Sequence, residues 1–567
     1  MLAPPRRRLL PAAIIVVLTA ATYAPSLDGG FVSDDVVAVV ENPLLDSLAP
    51  ANLRAIATSF DDANYIPLKV LSLTVDRQLW GPEPTGHHVT NVALHAANAL
   101  LVHALLLRLG EPAGAALAVG LLWALHPVQV ESVAWISERK NVLSTCFFLL
   151  AFAAWLRLAE RPAAGRYLVL FVLFAAALLS KVNTIVLPAL MLAHAFVFRR
   201  RVRVVDVGAA LSLLAVGAVV AWVNLAGNPS HGAAYHGGSL AVTLRTSATV
   251  VPRYLVAAVF PLHLSTVYDI PLRGSWLDPA VLLGSATVLG LAAATIVLGL
   301  RRRPEAFWVF WFGVTLSPML NLVPFPALIA DRYLYIPLVG ILVLVARGAR
   351  GCAAACLPAR TVLPAAAGLA VAACVVLTLG RIPVWHDELS LWADGALRSH
   401  YIAADQPYGP APRPERHAIL AAARAARPDD AALLNNLGAL AFEESRLDKA
   451  RAALEQARRL DPDDPTKALN LGRVYLHGGR IDAAVATLDA AVALEPPSFF
   501  AHLNLARARR LLGDRDGARA ALRRAQEIRP DPYHWMAEAR LLAPSGTAPQ
   551  RRTPPPARRP GRRGAPP

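Results

Sequence analysis

The sequence predicts an all-α protein, a polytopic membrane helix bundle followed by a soluble α-solenoid. Three observations predict it. Hydrophobic residues make up 55% of the 567 residues and charged residues only 17%, against roughly a quarter charged in an ordinary soluble domain. Apolar runs near the length of a bilayer core recur up to residue 380. A 34-residue period then takes over. A simple soluble enzyme is excluded.

The apolar runs come first in the chain. The first, Leu9 to Leu27, follows a basic start. It reads as a retained span rather than a cleaved signal peptide, because no clean small-x-small cleavage motif precedes Asp28. Ten more are expected near 91–108, 113–130, 141–158, 166–180, 182–198, 205–225, 278–300, 305–324, 333–346 and 361–380, about eleven in all. The stretch 246–267, interrupted by Pro252 and Pro261 and carrying Arg253, is expected to be an interfacial or re-entrant helix or, as second choice, a pair of short spans, rather than a single crossing.

Charge sets the orientation. The net charge is +16, but its arginines sit in short clusters between the runs, such as Arg6 to Arg8, Arg199 to Arg203 and Arg301 to Arg303. That is the pattern of cytoplasmic loops and not of a phosphate-binding groove, so no nucleic-acid partner is expected. The N-terminus is then cytoplasmic, and the acidic loop 28–88 and everything after the last span are extracytoplasmic. The four cysteines, Cys146, Cys352, Cys356 and Cys374, form neither a metal-ligand spacing nor a disulfide framework.

The domain organisation follows: a membrane domain over 1–382 with its first external loop at 28–88, a linker with room for a degenerate repeat over 383–427, repeats with a closing helix over 428–545, and a Pro/Arg-rich tail over 546–567 expected to be disordered. In the repeats, Pro428, Pro462, Pro496 and Pro530 stand 34 apart, as do Asn436, Asn470 and Asn504, and Ala450, Ala484 and Ala518. That period, with small residues at these positions, is the tetratricopeptide pattern. Such an array binds an extended peptide or a protein and has no chemistry of its own.

Ionisable residues beside apolar spans are costly, so each is a candidate for function. Four groups stand out, and the topology places all four at the extracytoplasmic face. They are Asp34-Asp35; the stretch Thr85 to Asn91 with His88 and Asn91, followed by His95; His126 to Trp135 with Glu131, continuing to Glu138-Arg139-Lys140; and Asp331-Arg332-Tyr333. Taken singly, His87, His95 and Glu138 read most simply as packing or surface residues, whereas Asp34 or Asp35 and Arg139 read as functional. A carboxylate at a membrane-face cavity can take the proton of an acceptor hydroxyl. Neighbouring cations can hold the phosphate of a lipid-linked donor and stabilise it as it leaves. A lipid-carried donor is needed there because cytosolic nucleotide sugars do not reach that face.

These residues resemble a known family. The matching stretches are Phe31 to Asp35 with Asn42-Pro43, Pro67-Leu68, Leu79-Trp80-Gly81, His88 to Asn91 with His95, His126-Pro127 to Trp135, Leu179-Ser180-Lys181, and Asp331 to Tyr335 with Pro337. With the repeats, they are similar to the GT-C superfamily glycosyltransferases that combine membrane spans and tetratricopeptide repeats, the protein O-mannosyltransferases and their bacterial relatives. The resemblance implies an inverting transferase using a polyprenyl-phosphate sugar, with an acid of the first external loop as base, which maps onto Asp34 or Asp35. Arg139, Lys140, Asp331, Arg332 and Tyr333 then become the donor-binding candidates, supported by His88, Asn91, His126 and Glu131. Two positions depart from the family pattern: Ile66 stands where an arginine is common, and Gln129 where a histidine is. Mannose is therefore implied by resemblance alone. The acceptor is a hydroxyl of an exported protein or of an envelope glycan. No cofactor beyond the lipid-linked sugar is called for, and a divalent metal is not indicated.

Two other functions compete. A non-catalytic, membrane-anchored repeat scaffold would need only one span. A transporter would place its ionisable groups near the bilayer midplane, within broken helices. The Ala- and Arg-rich usage points to a bacterial inner membrane, with membrane lipid as surroundings and an extracytoplasmic protein as partner of the repeats.

Overall fold

The computed structural model describes residues 5–61, 64–226, 235–268, 270–323, 327–355, 357–388, 390–391, 394–395, 424, 429–496 and 498–528. They belong to two compact units, Met1–Pro428 and Asp429–Pro567. Among the described residues there is no strand, only an isolated bridge between Asp61 and Asn64. Most of the segment expected to hold a degenerate repeat, the expected closing helix at 531–542 and the Pro/Arg tail lie outside the described residues.

The first unit begins with α1 (Pro5–Tyr23). Loop 28–88 carries α2 (Pro50–Thr58) and α3 (Pro67–Trp80). Then come α4 (Pro84–Arg108), α5 (Ala113–Ala124), the short α6 (Val130–Ala134), α7 (Arg139–Glu160), α8 (Ala164–Ser180) and α9 (Leu187–Val197). The remainder are α10 (Val204–Ala226), α11 (Leu240–Val259), α12 (Pro279–Leu300), α13 (Glu305–Leu316), α14 (Leu338–Ala355) and α15 (Leu357–Arg381). Proline opens α2, α3, α4 and α12, where its missing N–H would be unpaired in any case.

Every expected span falls on a helix, but not every helix is a full span. Among the described residues six are long and apolar enough to cross a membrane: Leu9–Asp28, Pro84–Arg108, Ile136–Glu160, Val204–Ala226, Pro279–Leu300 and Val362–Trp385. A seventh is the pair Ala113–Ala124 and Pro127–Ala134, bent by 48°. The other apolar runs are shortened by breakers: Lys181 separates α8 from the turn into α9, and Ser317-Pro318 ends α13. The chain is a multi-pass membrane protein in build. On α12, Leu283, Leu289 and Ile296 are each more than 60% exposed, a face that only lipid or another apolar surface would cover.

The stretch 246–267 corrects its expectation in one respect. Pro252 does not interrupt the helix, and α11 runs unbroken from Leu240 to Val259. Pro252 leaves the Ala248 carbonyl without its helical donor. Gly284 of α12 packs directly on that carbonyl, where a Cβ would collide. Close approach at a glycine is a recurrent way of packing membrane helices.

The second unit pairs α16 (Ala431–Glu443) with α17 (Leu447–Leu460), α18 (Pro465–His477) with α19 (Ile481–Leu494), and α20 (Phe499–Leu512) with α21 (Arg515–Ile528). Asp430 and Asp464 cap their helices through backbone N–H groups at 2.7–3.2 Å. Ala450, Ala484 and Ala518 are fully buried between the paired helices. Gly438 and Gly472 face Leu454 and Leu488 at distances a side chain would not allow.

Candidate functional site

The site is built around one interrupted helix. After α5, His126-Pro127 starts a 3₁₀ turn (Pro127–Gln129), α6 follows, and a second 3₁₀ turn (Ile136–Glu138) leads into α7. His126 accepts the Val128 N–H at 3.4 Å and fixes the first turn. Broken backbone at the edge of a bundle supplies groups that regular helices keep to themselves. This hub, residues 126–141, touches each of the other three polar groups.

It meets the first group through Ser137. The Asp35 carboxylate is fully buried. It accepts the Ser137 N–H at 2.7 Å, the Ser137 hydroxyl at 2.5 Å and the Val32 N–H at 3.1 Å. Burial pushes Asp35 up to about 7, against the pull of these donors and of Lys69. Trp135 also donates to the Val32 carbonyl at 3.2 Å. Asp34 differs from its neighbour: it is half-buried and receives the Ser33 hydroxyl at 3.4 Å. Ser33 before it holds a left-handed φ of 54°, a cost that persists only where the surroundings enforce it. Enforcement comes from Glu388, which accepts the Ser33 N–H, and from the hydrogen bond of Gly30 N–H to the His386 carbonyl at 2.8 Å.

Arg139 joins the hub to the second group. It is fully buried and spends its guanidinium inside the protein. Asp76 takes it at 2.6 Å, the His87 carbonyl at 2.9 Å, and Asn91 accepts from Nε. Asn91 in turn donates to the carbonyls of Val133 and Trp135 at 3.2 and 3.3 Å. Burial raises the Asp76 carboxyl, but His87, Arg139 and Thr90 outweigh it and hold it below the ordinary carboxylate range. Arg139 is thus a buried tie between α3, α4 and α7 and faces no donor space. His88 bonds the Gly29 carbonyl at 3.2 Å and ties α4 to the end of α1. His95 sits among Tyr23, Trp123 and Tyr335, bonded to the Tyr335 hydroxyl at 2.7 Å and the Ala124 carbonyl at 2.8 Å, as a packing residue should.

The fourth group meets the hub in a cluster of cations. Glu131 accepts the Arg332 N–H at 2.7 Å and its guanidinium as well. Glu138, read from sequence as a surface residue, is fully buried. It gathers Lys140 at 3.2 Å, Lys181 at 3.4 Å and Arg332 at 3.4 Å. Three cations against Glu131 and Glu138 leave an excess of one positive charge. Lys140, Lys181 and Arg332 are each partly exposed. Lys181, Arg332, Tyr333 and Asn141 line one cleft, with Asn183 and Thr184. The Arg332 guanidinium lies 5.4 Å from the Trp135 ring. Asp331 turns away from the cleft toward Tyr268, which donates to it, and lies 3.9 Å from Arg381. Burial and the nearby Glu131 raise its carboxyl. Asp331 therefore supports the turn and is not a ligand for an anion. Among the described residues no three His, Cys, Asp or Glu side chains are grouped to hold a metal ion.

Sequence reasoning passed over three of these residues. Asp76 is one acid of the acidic loop 28–88, and Lys69, Ser72 and Asp76 share one face of α3 at helical spacing. Lys69 pairs with Asp61 at 2.5 Å. Lys181 belonged to a quoted motif without a role, and Glu138 organises the cations. Gln129 is buried with neither amide atom partnered among the described residues.

Tetratricopeptide-repeat family models match residues 441–499 and 476–541, and residues 416–465. The protein O-mannosyl-transferase TMTC1 of Mus musculus is 35% identical over 175 residues, which are 29% of this chain and 19% of that one. Tmtc1 of Drosophila melanogaster is 32% identical over 171 residues, 29% and 20% of the two chains. TMTC4 of Homo sapiens is 32% identical over 155 residues, 24% and 21%. Among solved structures, the first TPR of Spaghetti (RPAP3) bound to an HSP90 peptide is 23% identical, covering 20% of this chain and 90% of that one, with a TM-score of 0.20. This is a helical membrane protein with tetratricopeptide repeats. Its homologues are protein O-mannosyl-transferases of the TMTC kind, and the matched stretch spans about a fifth of their length.

Proposed function

We propose that the chain is a membrane glycosyltransferase. It moves a sugar, mannose by analogy with the relatives, from a polyprenyl-phosphate donor to a hydroxyl of an extracytoplasmic protein. Asp34 takes the proton of the acceptor hydroxyl as its oxygen attacks the anomeric carbon. The bond from that carbon to the carrier phosphate breaks, and the phosphate departs with the electron pair. Lys181, Arg332 and Lys140 hold it, because its charge grows as the bond breaks. Tyr333 walls the cleft, and Asp35, Glu131, Asn91, His88 and His126 hold the framework. The repeats hold the acceptor.

One observation carries this reading: Ser137 and Glu138 are consecutive. The first anchors the acidic loop and the second gathers the cations. The loop that carries Asp34 and the three cations are thereby tied to one short turn. The proposed orientation has a bacterial inner membrane, a cytoplasmic N-terminus and the repeats outside. The bonds of Gly30 and Ser33 to His386 and Glu388 support it, since they bring the exit of α15 to the exit of α1.

The test is transfer of labelled mannose from polyprenyl-phosphate mannose in membranes. Asp34→Asn is expected to lose at least about a hundredfold in rate at normal protein level, as for removal of a general base. Asp35→Asn is expected to lower protein stability as well as rate. Unchanged transfer in Asp34→Asn would remove Asp34 from the chemistry.

A further inference from the structure

Two turns of the membrane unit carry seven arginines. The turn from α9 to α10 holds Arg199, Arg200, Arg201 and Arg203, and the turn from α12 to α13 holds Arg301, Arg302 and Arg303. The fold fastens these turns together. Arg302 donates to the carbonyl of Phe196, 106 residues before it, and its guanidinium lies 3.7 Å from the centre of the Phe196 ring. A Cβ on Gly299 would stand 3.6 Å from the same ring, and Phe198 meets Phe307 edge-on at 5.3 Å. On the other flank, Arg203 donates to the Ala159 carbonyl near the end of α7 at 3.3 Å. A positive loop that only orients a membrane protein needs charge and no fixed neighbour. Here two positive loops form one fixed saddle.

Acids do not balance the saddle. Asp206 takes Arg199 at 3.2 Å and Arg203 at 2.8 Å. Glu305 lies 3.7 Å from Arg303 and is shared with Arg347, and Glu160 is taken by Arg108 at 2.9 Å. Even with Asp206 and Glu305 spent wholly here, the seven arginines leave five positive charges over. Among the described residues Arg200, Arg201 and Arg301 meet no acid, and all three are exposed. Arg200 and Arg302 hold left-handed φ angles of 56° and 53°, a conformation that glycine adopts at less cost. Arg302 spends its side chain on Phe196. Among the described residues nothing in the protein uses the guanidinium of Arg200. The surroundings select the kind of anion. Val204 and Leu300 are each more than 70% exposed, and Val202 and Val205 are exposed as well. A soluble anion has no use for such a surface. A phospholipid has, because its phosphate and its acyl chains meet the end of a membrane helix together.

We propose that this saddle binds the headgroup of an anionic phospholipid, with Arg200, Arg201 and Arg301 on its phosphate and Val204, Val205 and Leu300 against its acyl chains. Arginine suits the task, since its planar fork gives a phosphate two parallel charge-assisted hydrogen bonds. The site also bears on the cleft at the other end of the same helices. α9 packs on α13. Thr184 and Val186 just before α9, and Thr315 and Met319 at the end of α13, line that cleft. A lipid that bridges the two turns holds the opposite ends of α9 and α13 together and steadies the pair.

The experiment is native mass spectrometry of the full chain in detergent, titrated with phosphatidylglycerol or with phosphatidylcholine of the same acyl chains. The first phosphatidylglycerol is expected to bind at least about tenfold more tightly than the first phosphatidylcholine, and to raise the melting temperature more. The triple variant Arg200→Gln, Arg201→Gln, Arg301→Gln is expected to level the two lipids and to lose the extra rise in melting temperature. These three side chains hold no other part of the protein, so its melting temperature without lipid is expected to stay unchanged. The double variant Arg200→Gln with Arg301→Gln, which reads the site if the triple variant does not fold, is expected to lose at least about threefold of the preference. A matched variant that removes three charges of the tail, Arg551→Gln, Arg552→Gln, Arg558→Gln, is expected to keep the preference. Equal binding of the two lipids by the natural chain would overturn the proposal. So would a preference that survives the saddle variants, or one that the tail variant abolishes. Displacement of phosphatidylglycerol by an equal concentration of inorganic tripolyphosphate would overturn it too, by making the saddle a site for a soluble anion. Sugar transfer plays no part in this readout, so failure here leaves the transferase reading standing, and unchanged transfer in Asp34→Asn leaves this one standing.

Discussion

At the scale of the residue, the two adjacent acids do different work because their surroundings differ. Asp35 is buried under three donors, and Asp34 is half-open behind a strained Ser33. Asp35 carries a pH signature whose sign is fixed. Its carboxyl titrates higher in the folded chain, at about 7, than the ordinary aspartate value of 3.8. The protonated form is therefore the one the fold favours. This stabilisation is complete below about pH 4 and is lost as pH rises through 7, at most about 1.4 kcal/mol per unit. The apparent melting temperature in nanodiscs is expected to fall between pH 5 and pH 8, and Asp35→Asn is expected to flatten that fall. An identical slope in the variant would assign the pH dependence elsewhere. Arg139 is the second residue-scale case. Arg139→Met leaves Asp76 charged and buried, which costs about 3–5 kcal/mol. The double variant with Asp76→Leu is expected to recover much of the lost melting temperature. A stable Arg139→Met single variant that only weakens donor binding would return Arg139 to the donor site. The sequence marked these residues as expensive, but not which of them were already paired. Pairing is decided by helices distant in the chain: Asp76 and Arg139 are 63 residues apart.

At the scale of the element, periodicity and composition located the helices well and their lengths poorly. Each apolar run became a helix, because nothing else satisfies the backbone in an apolar setting. Breakers such as Pro127, Lys181 and Pro318 cut several of them short, and the cuts are where the polar hub and the cleft formed. The 34-residue repeats were fully legible, since their small residues and capping aspartates are local signals. Helix-to-helix approach was not, because it depends on which glycine faces which carbonyl. Gly284→Ala is expected to force α11 from α12 and cost about 1–3 kcal/mol, as overpacking does. Gly290→Ala, on the same helix with no atom within 4 Å of its Cβ position, is the matched control and is expected to be neutral or slightly stabilising. Equal melting temperatures for the two variants would deny that Gly284 docks the proline-containing helix.

At the scale of the whole molecule, charge organises the membrane unit. One end holds the hub, the acid pair and the cation cluster. Elsewhere, Glu111 binds Arg347 at 2.6 Å and Arg350 at 3.3 Å, and Arg347 also reaches Glu305 at 3.1 Å, pinning the α4–α5 and α12–α13 turns to α14. There Arg303, Arg347 and Arg350 face Glu111 and Glu305, the same balance of charge, but the cluster around Glu138 stands beside a cleft. We therefore expect this cleft to hold the phosphate of the lipid-linked sugar. The most direct measurement is a cryo-electron microscopy structure of the full chain in nanodiscs with a polyprenyl-phosphonate mannose that cannot be transferred. The phosphonate is expected within about 4 Å of the Lys181 ammonium and the Arg332 guanidinium, as in charge-assisted pairs, with the anomeric carbon turned toward Asp34. A headgroup bound at any other part of the bundle, with the Lys181 and Arg332 side chains still facing an empty cleft, would contradict it.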